Sequence, residues 1–132
     1  MYDIVIPVGA ENADSATAQA AAVENLPGEP DEVRVVIMHS FTDNPSGASV
    51  TQVKPARRIS EQLEDAGYTV ELDERSGNPA EEILEVAEEY DADLVCIGGR
   101  KRSPTGKALF GSVTQSVLLD ADVPVMVCHP EA

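Results

Sequence analysis

The chain has 132 residues, 42% of them hydrophobic and 25% charged, a composition that fits one globular domain over 1–132 and excludes a disordered chain. With 24 acidic residues against 9 basic ones the formal net charge is -15, which sets the surface against nucleic-acid backbones and anionic membranes as general partners. No apolar run approaches the ~20 residues of a membrane span, and the N-terminus opens on a strand pattern with no basic leader, so a soluble cytoplasmic domain is expected.

Tyr2 to Val8 is a β-branched run that reads as a strand buried on both faces. Asp14 to Leu26 is an alanine-rich helix with Asp14 or Ser15 as N-cap and Pro27-Gly28 as its stop. Val33 to Phe41 is the second strand, and Thr42 to Ser49 gathers the Asp, Asn, Pro, Ser and Gly of a loop. The second helix falls between Val50 and Ala66, regular from near Pro55, with Gly67 past its end. Tyr68 to Asp73 alternates as a strand. Asn78-Pro79-Ala80-Glu81 then starts a helix, with Asn as N-cap, Pro at N1 and Glu facing the positive dipole end. Leu94 to Ile97 is the fourth strand, Gly111 to Leu119 a helix, and Val123 to Cys128 the fifth strand.

Strands separated by helix-length segments demand parallel pairing with right-handed crossovers. The expected fold is therefore α/β, a three-layer doubly wound architecture around a five-stranded parallel sheet. In such folds a ligand sits beyond the carboxyl ends of the strands, where the strand order reverses. That rule sets Pro7-Val8-Gly9 beside Ile97-Gly98-Gly99.

The segment from Gly98 to Ser112 carries the strongest chemical signal. Four of the nine basic residues fall between Arg100 and Lys107, and no acidic residue occurs from Leu94 through Leu119. In so acidic a chain a gap of that length has a chance on the order of one in a hundred. The physical candidate is an anion. Gly98 and Gly99 allow close backbone approach, and Gly111-Ser112 opens a helix whose free N–H groups suit a phosphate. Ser112 and Thr114 add hydroxyls, while Arg100, Lys101 and Lys107 bring positive charge. The bland reading is a glycine loop with its basic residues solvated on the rim.

Other phosphate motifs fail. A P-loop needs Gly-x4-Gly-Lys-Ser/Thr, yet Gly106-Lys107 is followed by Ala108 and Lys101 stands where the first Gly belongs. No Gly-x-Gly-x-x-Gly follows the first strand, and no Ser/His/Asp set with an elbow motif occurs. Cys96 and Cys128 lie in apolar runs without metal-ligand spacing, so they read as reduced core thiols rather than as a site shared with His39 and His129. His39 reads as a hydrogen-bonded residue at the sheet's edge, not a base. Glu81, Glu82, Glu85, Glu88 and Glu89 read as a solvated helix face. The scarcity of lysine, three residues in all, favours adaptation to a high-salt cytoplasm, where screening mutes self-repulsion.

Ile6-Pro7-Val8 closing the first strand, Met38-His39 late in the second, and the final Val123-Pro124-Val125 resemble the universal stress protein family. Gly98-x2-Lys101-x9-Gly111-Ser112 is similar to that family's nucleotide loop, Gly-x2-Gly-x9-Gly-Ser/Thr. The resemblance spans essentially the whole chain. It implies an adenine nucleotide alpha hydrolase-like fold, a homodimer and a stress-response role without an established general enzymatic activity. Carried over by position, it implies adenine and ribose contacts at Pro7, Val8, Gly9, Ser40 and Ile97. It implies phosphate contacts at Gly98, Arg100, Lys101, Gly111, Ser112, Val113 and Thr114.

Two positions depart from the family pattern: Gly9 replaces the usual Asp after the first strand, and Lys101 replaces the second loop glycine. The expectation is ATP or AMP as ligand, with magnesium only through the phosphates, no protein-ligated metal, and a dimer contact along Val123 to Cys128. The other readings are a dimeric interaction module that holds no ATP and a weak metal-dependent nucleotide hydrolase.

Overall fold

A computed structural model of the chain describes residues 1–9, 13–41, 53–98 and 111–128. Strands β1 (Tyr2–Pro7), β2 (Val33–Phe41), β3 (Thr69–Ser76), β4 (Leu94–Gly98) and β5 (Val125–Cys128) alternate with helices α1 (Ala13–Glu24), α2 (Lys54–Asp65), α3 (Pro79–Glu89) and α4 (Ser112–Asp120). The sheet order is β3-β2-β1-β4-β5, and every neighbouring pair is parallel. The chain therefore builds outward from β1 in one direction and then in the other, and the reversal lies between β1 and β4. The α/β doubly wound expectation is met.

The period of two along each strand divides the core. Ile4, Ile6, Val35, Ile37 and Cys96 pack under α1 and α2, whereas Val5, Val36, Met38, Val95 and Ile97 pack under α3 and α4. Ile4, Ile6 and Ile37 are fully buried, and each side chain of that kind contributes about 1.5–3 kcal/mol through removal from water. The β-branched runs noted in the sequence are thus strands covered on both sides by helices.

Several element ends differ from expectation. Helix α1 already includes Ala13, so Asp14 and Ser15 lie in its first turn rather than capping it, and it ends at Glu24, two residues short of Leu26. Strand β3 runs three residues past Asp73 because it keeps pairing with His39, Ser40 and Phe41 of β2. Strand β5 starts at Val125, since Pro124 has no N–H for the ladder, although its carbonyl accepts from the Val95 amide at 3.0 Å. Other boundaries hold. Val53 precedes α2 with proline in the first turn, and Gly67 takes φ +100° past its end, a conformation that favours glycine. Asn78 caps α3, its side chain accepting from the Glu81 amide at 3.2 Å. The expected loop at Thr42 to Ser49 lies outside the described residues.

Candidate functional site

The β1–β4 ladder is registered only at Ile4–Leu94 and Val5–Val95, so the two strands part toward their carboxyl ends. Gln19 of α1 spans the gap. It is 2% exposed, and its side-chain amide donates to the carbonyl of Pro7 at 2.7 Å and to that of Cys96 at 3.0 Å. One amide thus supplies a partner to each strand where the ladder stops, and no buried side-chain polar atom among the described residues is left unpaired.

On the other side of β1, Val8 is tied to β2 through both backbone groups. Its amide donates to the Met38 carbonyl at 2.9 Å, and its carbonyl lies 2.7 Å from Nδ1 of His39. A carbonyl only accepts, so Nδ1 carries the proton. The His39 ring meets Phe41 edge-on at 4.5 Å. His39 is therefore hydrogen-bonded, as expected, but it stands at the carboxyl end of an inner strand of the sheet.

Beyond these strand ends lies a cavity of about 290 Å³, close to the lower bound of small-molecule pockets, ~300 Å³. Pro7, Val8 and Gly9 line one wall, Met38, His39 and Ser40 a second, and Ile97 and Gly98 a third, with Gln19 also reaching the lining. Pro79 and Ile83 of α3 and Val113 and Thr114 of α4 complete it. None of these described residues carries a carboxylate.

The helix that faces the cavity is electrostatically open. Helix α4 follows Gly111, which offers no side-chain cap, and its first turn holds no acidic residue. The contrast is α3, whose first turn has both the Asn78 cap and Glu81 and Glu82. With no side-chain cap from Gly111 and no acid in its first turn, the positive dipole end of α4 favours an anion, an effect worth about 0.3–1 kcal/mol at an exposed helix end. Thr114 is buried and donates its hydroxyl to the Gly98 carbonyl at 3.2 Å, which locks the end of β4 to this helix.

The expected contact residues thus sort into groups. Pro7, Val8, Gly9, Ser40, Ile97, Gly98, Val113 and Thr114 come together around the cavity. Gly111 and Ser112 stand at the start of α4 without lining it. Arg100 and Lys101 lie outside the described residues. The Ser40 hydroxyl turns toward the Gly77 carbonyl at 3.3 Å, and Val8 offers the cavity a side chain because both its backbone groups are engaged.

Gln19, Met38, His39, Pro79 and Ile83 were not foreseen as lining residues. Gln19 had a readable signal, a lone amide on the helix face shared by Ala16, Ala20 and Val23, and His39 reads only as a hydrogen-bonded residue at the sheet's edge. Met38, Pro79 and Ile83 are apolar and look like any core residue. Among the described residues no three His, Cys, Asp or Glu side chains are grouped to hold a metal ion, and no helix is long and apolar enough to cross a membrane.

Comparison with known proteins matches this arrangement to one family. The model of the universal stress protein family matches residues 1–129. A universal stress protein of Mycolicibacterium smegmatis is 42% identical over 69 residues, covering 52% of this chain and 53% of that protein. One from Methanocaldococcus jannaschii is 35% identical over 69 residues, 52% of this chain and 43% of that one. The chain spans about half the length of these curated relatives.

Among solved structures, the universal stress protein of Archaeoglobus fulgidus superposes with a TM-score of 0.70 at 28% identity, covering 97% of this chain and 98% of that chain. A universal stress protein family protein of Arabidopsis thaliana with AMP bound gives 0.75 at 14% identity, covering 100% and 94%; at that identity the likeness is one of fold. The described architecture and the family match agree: this chain belongs to the universal stress protein family.

Proposed function

We propose that the chain is a stress-response protein that binds an adenine nucleotide, AMP or ATP, in the cavity beyond β1 and β4. The observation that carries this reading is the cavity itself, a concavity with no carboxylate among its described lining in a chain of net charge -15, set against the N-terminus of α4, whose N-cap Gly111 supplies no side-chain cap. Relatives of the same fold solved with AMP, cAMP and dAMP support the ligand class. The adenine would lie against Val8, Met38 and Ile97, with the phosphates toward Val113, Thr114 and the Arg100–Lys101 segment. Magnesium would be held only through the phosphates.

The family's Asp after the first strand is Gly9 here, and a Cβ added at Gly9 would meet nothing within 4 Å among the described residues. As the biological unit we propose a homodimer formed by antiparallel pairing along Val123 to Cys128, because β5 is an edge strand with half-buried Val125, Met126 and Val127. The acidic, lysine-poor surface fits a high-salt cytoplasm.

Isothermal titration of the full chain with AMP, and with ATP with and without magnesium, tests the reading. Saturable heat at one nucleotide per chain without release of phosphate is the expected result. Silence with every nucleotide would instead favour the interaction module, and steady phosphate release the hydrolase.

A further inference from the structure

Cys96 and Cys128 face each other across β4 and β5 with their Sγ atoms 3.0 Å apart, about 1 Å more than a disulfide bond. Both are free thiols, 0% and 6% exposed respectively. They sit in the layer under α1, where that helix presents the small side chains of Ala16 and Ala20. Neither belongs to the lining of the cavity. Burial alone would explain one apolar cysteine, but not two sulfurs in contact on neighbouring strands.

We infer that Cys96 and Cys128 form a redox modification site, a dithiol that closes reversibly into a disulfide within the chain when it meets a peroxide. This rests on the thiol geometry alone and is independent of the nucleotide reading. Cys96 stands opposite Met126, and Cys128 opposite Gly98, so the two cysteines are diagonal neighbours on adjacent strands. With the sulfurs already in contact, closing the bond needs an approach of only about 1 Å, and thiol–disulfide exchange with a reducing dithiol opens it again.

Position assigns the roles. The two thiols share one hydrogen bond, in which either S–H can donate. Cys128, on the outer strand and 6% exposed where Cys96 is fully buried, is the nucleophile, and it reacts as its thiolate; local opening at the end of β5 admits the oxidant. Its sulfur attacks one peroxide oxygen and breaks the O–O bond, leaving a sulfenic acid and hydroxide, which the proton lost by Cys128 converts to water. The Cys96 sulfur then displaces the sulfenic oxygen, which leaves as a second water with the Cys96 proton. Two thiols lose two electrons in all, and hydrogen peroxide gains them.

The test treats the folded full-length chain with a few equivalents of hydrogen peroxide, denatures it in iodoacetamide, and measures the intact mass. The expected chain has lost two hydrogens and takes up no iodoacetamide. After dithiothreitol it takes up two. Cys96→Ser should stop at a sulfenic acid on Cys128 that dimedone traps. Two alkylated cysteines after peroxide, an oxygen adduct without loss of hydrogens, or a bond between two chains would each overturn the inference; the measurement on the unaltered chain needs no variant to fold.

Discussion

Two concavities of similar size sit at opposite ends of the sheet, and their chemistry is reversed. The one beyond the carboxyl ends of β1 and β4 has about 290 Å³ and no acidic residue among its described lining. The other, of about 360 Å³, lies at the amino ends of β4 and β5 and is lined by Glu85, Glu88, Asp91, Asp120 and Asp122. Both are open to solvent in the same strongly acidic chain, so the difference is local. The parallel sheet explains half of it. Strand carboxyl ends face helix N-termini, where an anion is favoured, and strand amino ends face helix C-termini, where it is not. The sequence explains the other half, because acids are missing from Leu94 through Leu119 and resume at Asp120 and Asp122.

Moving carboxylates between the two regions tests the contrast. The largest effect is expected from Gln19→Glu, which sets a buried charge against the Pro7 and Cys96 carbonyls. An uncompensated buried charge costs about 3–5 kcal/mol, read as a loss of unfolding free energy in urea at pH 7. Burial raises the folded-state pKa of such a Glu, so stability is lost as pH rises through it and is regained in part near pH ~4.

Val113→Asp comes next. An acid in the first turn of α4 suits the helix, but a charge ~6 Å from a phosphate costs roughly 2–3 kcal/mol at an effective dielectric of about 20. AMP affinity measured by titration calorimetry should fall about 100-fold while the thermal midpoint is kept. Gly9→Asp has the opposite sign, because it adds an acceptor for the ribose hydroxyls at the nucleoside end. A gain of about tenfold in AMP affinity is expected from one such charged hydrogen bond. Smallest is the pair Glu88→Gln with Asp122→Asn in the acidic groove. It should raise Tm by about 2 °C at low salt and by nothing near 1 M, leaving AMP affinity unchanged.

The fold was readable because its signals are local and repeated. Runs such as Ile4-Val5-Ile6 and Val35-Val36-Ile37 specify strands covered on both faces, and Asn78-Pro79 and Gly67 mark helix ends by their own stereochemistry. The site was readable only where backbone chemistry makes it. Pro7, Gly9 and Gly98 follow from the switch-point rule and Thr114 from the helix start, whereas Ser40 and Val113 come only from the family resemblance. Gln19 and the apolar wall of Met38, Pro79 and Ile83 were not, since α1 and α3 reach the cavity only through tertiary packing. The pairing of Cys96 with Cys128 was also hidden. Each looks like a small core hydrophobe, and a register between β4 and β5 is needed to bring the sulfurs together.

A crystal structure of the chain grown with AMP is the most direct test of the cavity beyond β1 and β4. The account predicts the adenine among Val8, Met38 and Ile97, with the phosphate at the amides of Val113 and Thr114. AMP bound elsewhere on the chain, or the cavity without nucleotide under saturating AMP, would contradict it.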